Sequence, residues 1–243
     1  MFISFCAVAL CLETSVILHR PFHTPAFYSF IFFATLFAYN VYYFNSTTFS
    51  YHRFFAVSGF IGLLPSLYFM EGVSWFYIGV SSAFFGLYLL PVFWPFKKPE
   101  LYTFQKLFIL VLVWVLITFM LPAGKVELNN TNTLLLLYRL VLLTHLCALF
   151  YIKDEKNARF RQTAINSFYL LGMLQLLLCI FIGLDGNAVL SWIYLFITIL
   201  TIRTSFYFNH IKKTDAYYLL FVDGIMLLQS IFVLIKFFAH HES

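Results

Sequence analysis

The 243-residue chain is 62% apolar and 22% aromatic, with 10% charged residues and a net charge of +5. A soluble domain carries roughly 25% charged residues and has no core that could hide so much apolar surface, so an ordinary soluble protein is excluded and lipid is the implied solvent. Apolar runs such as LFILVLVWVLITFMLP also exclude a membrane barrel, whose strands alternate apolar and polar positions; the fold class is all-α, a polytopic membrane helical bundle.

A helix that crosses ~30 Å of hydrocarbon needs roughly 20 mostly apolar residues. By that measure the chain reads as one transmembrane domain, 1–243, of about nine spans near 1–18, 25–44, 54–70, 73–94, 105–122, 133–152, 166–184, 187–207 and 215–238. The first stretch begins at Met1 with no basic leader, and no small-residue cleavage site precedes Thr14. It is therefore read as a span and not as a cleavable signal. Pro21 and Pro25 bracket the first turn, Asn45 opens the second, and Glu71-Gly72 makes a tight third. A basic loop is expected over Pro95–Gln105, and Pro122 with Gly124 ends the fifth span. Lys153–Gln162 is the most charged stretch, Asp185-Gly186-Asn187 forms another tight turn, and Asn209–Asp215 supplies the last loop.

Charge bias sets the orientation. Eleven basic residues (Arg53, Lys97, Lys98, Lys106, Lys153, Lys156, Arg159, Arg161, Arg203, Lys212 and Lys213) follow even-numbered spans. The opposite side has Arg20, Lys125 and Lys236, and Arg139 lies inside the sixth span. The positive-inside rule then places the N-terminus in the cytoplasm and the C-terminus outside a cell membrane crossed many times. The same distribution argues against a nucleic-acid partner: the basic residues lie in short loops, where anionic headgroups account for them. Cys6, Cys11, Cys147 and Cys179 all fall within apolar spans without CxxC spacing, which reads as packing and not as a disulfide framework or zinc site.

Nine spans with the N-terminus inside and polar segments after spans two and six, the stretch FFATLFAYNVYYF at the end of span two, the stretch FYIKDEKNARFRQT after span six, and GLYLLPVFWPFKKPEL and AYYLLFVDGIMLLQS together give the chain a family likeness. It resembles the UbiA superfamily of membrane prenyltransferases, in particular a short bacterial subgroup, and the resemblance implies a bacterial inner-membrane location. In that family two Asp-rich motifs on the cytoplasmic side hold magnesium and the diphosphate of an isoprenoid donor. The resemblance therefore implies Asn40 and Asp154 as catalytic residues, with Asp154 as a metal ligand. Membrane lipids, with an isoprenoid or a prenyl diphosphate among them, are the implied partners.

The motifs themselves are depleted. With the family's NDxxDxxxD placed on Asn40, the carboxylate positions hold Val41, Phe44 and Thr48. With its DxxDxxxD placed on the second stretch, they hold Tyr151, Asp154 and Ala158. One acid remains of six, and the adjacent Glu155 points about 100° away around a helix. Magnesium takes carboxylate oxygens together with substrate phosphates, and losing even one preorganised charge-stabilising group costs ~100–1,000-fold in rate. The reading is a UbiA-like scaffold that lacks standard magnesium-dependent prenyl transfer and binds an isoprenoid or other lipid; Mg2+ is a cofactor only if the family activity is retained. Two alternatives stay open. In the first, the chain is an active prenyltransferase that grips phosphate through Lys153, Lys156, Arg159 and Arg161, since guanidinium forks bind phosphate bidentately. The second is a small secondary transporter, for which paired halves and converging ionisable groups are expected.

Ionisable groups inside hydrocarbon cost about 2.5–3.5 kcal/mol each at a helix centre, so each needs an account. Glu13, Arg139, His145 and Asp223 are the residues in question. Glu13 lies within a turn of its span's end and is expected to snorkel to water. Arg139 is expected to pair with Glu13 or Glu127, and Asp223 to bond a neighbouring helix. His19 and His23 are separated by Pro21, which breaks the helical face a metal would need, and His240 and His241 are terminal.

Overall fold

A computed structural model describes residues 1–42, 51–70, 75–93, 99–124, 129–154, 158–210 and 219–241. Among these residues every regular element is helical, as expected of apolar segments whose backbone groups have no water to bond and must satisfy one another internally. The helices are α1 (Phe2–Ile17), α2 (Pro25–Tyr42), α3 (Tyr51–Tyr68), α4 (Trp75–Phe93), α5 (Pro99–Val115) and α6 (Leu121–Ala123). They continue with α7 (Asn130–Asp154), α8 (Ala158–Leu184), α9 (Ala188–His210) and α10 (Gly224–His241). π-helical turns occupy Leu116–Met120 and Leu219–Asp223.

Five described segments are long and apolar enough to cross a membrane: Gln105–Ala123, Asn130–Leu149, Ile165–Leu184, Ala188–Tyr207 and Leu220–Ala239. Shorter apolar helices cover Phe2–Ile17, Pro25–Val41 and Trp75–Leu89. The chain is a multi-pass helical membrane protein. Two segments expected as loops are largely helical instead. Helix α5 starts at Pro99, whose missing N–H costs nothing at a first helical position. Helices α7 and α8 run into the charged stretch from both sides, reaching Asp154 and resuming at Ala158. Lys, Arg and Gln are good helix formers, so leaving the hydrocarbon does not oblige the helix to end.

The chain packs as two compact units, Met1–Gly124 and Lys125–Ser243. In the first, α2 and α3 pack through a stripe of small residues. A Cβ built on Gly59 would lie 2.7 Å from the backbone nitrogen of Phe37, and one on Gly62 would lie 2.5 Å from the Phe33 ring. Small residues let helices approach closely where lipid supplies no hydrophobic drive between them. Ala7, Cys11, Phe27, Phe30, Ile31, Met70 and Leu121 form the core of this unit. Side chains of α1 also serve the carbonyls around the π turn, with Thr14 Oγ1 donating to Thr118 O at 2.7 Å and Cys11 Sγ to Ile117 O at 3.5 Å.

Two of the turns expected from sequence have identifiable caps; the expected turns at Asn45 and Glu71-Gly72, and the last loop beyond His210, lie outside the described residues. After α8, Asn187 N donates to Ile182 O and Gly186 N to Gly183 O, with Gly186 at φ 90°. This is a Schellman motif, and the glycine supplies the left-handed residue. Helix α1 ends in the same pattern, Arg20 N to Ser15 O and His19 N to Val16 O. There the left-handed position is held by His19, at φ 50°.

In the second unit α8 packs against both α7 and α9, α7 touches α9, and α10 lies on α9. Tyr138 of α7 stacks on Tyr194 of α9 at 4.2 Å. Its hydroxyl donates to Tyr194 O and contacts Thr198 Oγ1. Cys179 of α8 completes this buried seam at 3.7 Å from Thr198. The four cysteines are free thiols.

Candidate functional site

Helices α7, α8 and α9 each place one polar side chain at a common buried point in the second unit. His145, fully buried, has Nδ1 at 3.3 Å from Gln175 Oε1 and Nε2 at 2.8 Å from Ser205 Oγ. Ser205 Oγ in turn donates to Thr201 O at 2.8 Å. The imidazole also stacks on Phe168, with ring centroids 5.1 Å apart. A polar cluster of this kind is expensive in hydrocarbon unless its members satisfy one another, and here each of the three groups sits on a different helix.

The proton count limits how the cluster is wired. Ser205 has one hydroxyl hydrogen; with it on Thr201 O, the 2.8 Å contact with His145 is a donation from Nε2–H. A neutral imidazole then has only an acceptor left at Nδ1. The amide of Gln175 is best satisfied with its nitrogen, which has no other partner among the described residues, turned toward Nδ1. The relay runs from Gln175 to His145 to Ser205 to the Thr201 carbonyl.

Beside this cluster opens a cleft of about 140 Å³, lined by His145 and Ser205 at its buried end and by Phe168, Gly172, Leu176 and Ile202 on its walls. Tyr169, Met173 and Phe206 form its rim and are exposed apolar groups on the outer faces of α8 and α9. Gly172 helps to make the space: a Cβ there would meet Ile202 Cγ1 at 2.9 Å. Apart from the histidine and the serine, the surroundings are almost wholly apolar. Such a cleft offers one hydrogen-bonding point inside a hydrocarbon-lined hollow.

The residues implied by the family resemblance are distributed over both units. Asn40, buried near the end of α2, donates from Nδ2 to Leu36 O at 2.7 Å, and its Oδ1 lies 2.8 Å from His52 Nδ1 on α3. Its side chain thus bonds its own helix and ties α2 to α3. Lys153 and Asp154 are the last residues of α7, while Arg159 and Arg161 stand in the first turn of α8; the side chains of these four lie outside the described part of the structure. Lys156 lies outside the described residues, as do Glu127, Phe44 and Thr48. Among the described residues no three His, Cys, Asp or Glu side chains converge as a metal-binding set. With Val41 beside an Asn40 already engaged on both amide atoms, the first motif offers magnesium no carboxylate there, and its donor set does not fit the ion.

Glu13 belongs to the first unit, Arg139 and Asp223 to the second, and at 0%, 2% and 4% exposure all three are buried. This corrects the expectation that Glu13 snorkels. Its neighbours Thr14, Ser15 and Val16 are buried as well, so this turn of α1 offers the carboxylate no surface to reach. His23 is engaged with a backbone carbonyl, Nε2 lying 2.9 Å from Pro122 O, and it stacks on Phe27.

Sequence reasoning singled out His145 but missed Gln175, Ser205 and His52. Their signal was present as polar residues within apolar runs. What one sequence cannot display is that residues 30 and 60 positions from His145 share its turn level. Comparison with protein-family models, curated proteins and solved structures finds no match to this chain.

Proposed function

We infer that this is a lipid-binding membrane protein on a UbiA-like scaffold of about nine spans, which holds an isoprenoid or related lipid without magnesium-dependent prenyl transfer. The observation that carries the reading is the cleft beside His145. It is apolar, its rim faces outward from α8 and α9, and a hydrogen-bonded polar cluster closes its inner end. Pockets of this composition suit apolar ligands oriented by a few polar groups. The depleted Asp-rich motifs argue against metal-assisted departure of diphosphate, because the ligands that would hold the ion are mostly Val, Phe, Thr, Tyr and Ala. The eleven-to-three distribution of basic residues supports a cytoplasmic N-terminus, and the family likeness supports a bacterial inner membrane.

The test is direct. Purified protein, incubated with magnesium, labelled prenyl diphosphates and a panel of acceptors, is expected to show no transfer. A photoreactive isoprenoid is expected to label the rim residues Tyr169, Met173 and Phe206. Turnover that collapses in Asp154→Asn would overturn the reading in favour of an active transferase.

A further inference from the structure

We propose that the cleft between α7, α8 and α9 is a site for a lipid alcohol, whose hydroxyl donates to Ser205 Oγ while its adjoining carbons fill the apolar hollow. The proposal rests on the lipid-binding reading above and names the class of lipid.

The first argument is the accounting of protons. The single hydrogen of Ser205 is committed to Thr201 O, and the Nε2 hydrogen of His145 is committed to Ser205. His145 Nδ1 faces Gln175. No donor is left over at the inner end of the cleft, while Ser205 Oγ retains one acceptor lone pair. Exchanging the tautomer does not alter this. If Ser205 instead donated to His145 Nε2, its hydrogen would again be spent and its oxygen would still only accept. A ligand oxygen that brings its own hydrogen can bond here with every existing hydrogen bond kept. A hydroxyl meets that condition; an ether, ester or quinone oxygen bonds only if Ser205 gives up its bond to Thr201 O.

The second argument is size and position. An apolar cavity of about 150 Å³ takes up a benzene-sized guest of six heavy atoms. The 140 Å³ cleft then has room for a hydroxyl oxygen and about five carbons, the head of an isoprenoid or other fatty alcohol. The rest of the chain can lie along the exposed apolar faces of Met173 and Phe206. Ser205 and His145 lie near the C-terminal ends of their spans, Ala188–Tyr207 and Asn130–Leu149. That level is close to the headgroup region, where the hydroxyl of a lipid alcohol resides while its chain enters hydrocarbon.

The experiment uses the full chain in phosphatidylcholine nanodiscs with tritiated C20 isoprenoid alcohol, competed by the unlabelled alcohol and by its methyl ether, which keeps the shape but cannot donate. The ether is expected to compete about five- to tenfold less well, the ratio one hydrogen bond supplies. Ser205→Ala should weaken the alcohol to the level of the ether and leave the ether unchanged. Ser205→Thr, which retains an oxygen at the same position, should keep the gap. Met173→Trp, a rim change on an exposed position, should block both. If alcohol and ether compete equally in the unaltered protein while Met173→Trp blocks both, the hydroxyl assignment is overturned and lipid binding stands. If neither ligand binds, or Met173→Trp leaves both untouched, the lipid-binding reading of the cleft falls with it. Should Ser205→Ala fail to fold, the alcohol-to-ether ratios of the unaltered protein and of Ser205→Thr decide the matter.

Discussion

The hydroxyl of Thr14 donates to the carbonyl oxygen of Thr118 across 2.7 Å, and Thr118 lies four residues before Pro122, which has no N–H to offer that oxygen. A proline near a helix end withdraws one rung of the ladder, and in a membrane the freed carbonyl must find a donor within the protein. Thr14 is that donor, sharing its hydrogen with Leu10 O at 2.9 Å. Replacing it by valine keeps the shape and removes the donor. Thr14→Val is expected to cost about 1–2 kcal/mol in reversible unfolding in mixed micelles, with Thr14→Ser close to the unaltered protein.

At the end of α1 the left-handed residue is His19, at φ 50°. A side chain in this conformation carries a backbone penalty that glycine escapes. His19→Gly should therefore stabilise the first unit by about 0.5–1 kcal/mol, whereas Gly186→Val, at φ 90° in the equivalent turn of the second unit, should destabilise by more than that. Thermal unfolding of the two variants measures the opposite signs.

The seam between α2 and α3 yields a ranked pair. A Cβ on Gly59 meets backbone, 2.7 Å from Phe37 N, while a Cβ on Gly62 meets the ring of Phe33. Backbone has nowhere to go, but a ring can rotate. Gly59→Ala is expected to cost about 1–3 kcal/mol and Gly62→Ala less, read as the order of their unfolding midpoints.

His145 and Ser205 form an energetic pair as well as a geometric one. Ser205→Ala leaves a buried Nε2–H without an acceptor, whereas His145→Phe preserves the stacking ring and removes the donor. A double-mutant cycle should return a coupling of about 0.6–1.7 kcal/mol, the range of interhelical hydrogen bonds in membranes. A coupling near zero would mean that the two side chains do not act on one another.

How much of this could be read in advance follows from which interactions are local. The helical class, apolar segments long enough to cross a membrane, and the turns at Pro21–Pro25 and Asp185-Gly186-Asn187 were legible, because hydrophobic run length and the conformations of Gly and Pro are properties of neighbouring residues. Asp185-Gly186-Asn187 announced its cap in three letters. The stretch Lys153–Gln162 reads as a loop but is largely helical among its described residues, because charge marks departure from hydrocarbon and not the end of a helix.

Sequence by itself determined that the chain is a helical membrane bundle whose apolar segments are long enough to cross lipid. Only tertiary structure decided what the polar residues inside the spans do. Glu13 is buried where position near a helix end suggested water, Asn40 links two helices where the family likeness suggested chemistry, and His145 meets Gln175 and Ser205 from other helices. The physical reason is that insertion into lipid depends on the summed apolarity of a segment, which is additive along the chain. Satisfying a buried polar atom depends on one partner at one distance, which exists only after the helices have packed.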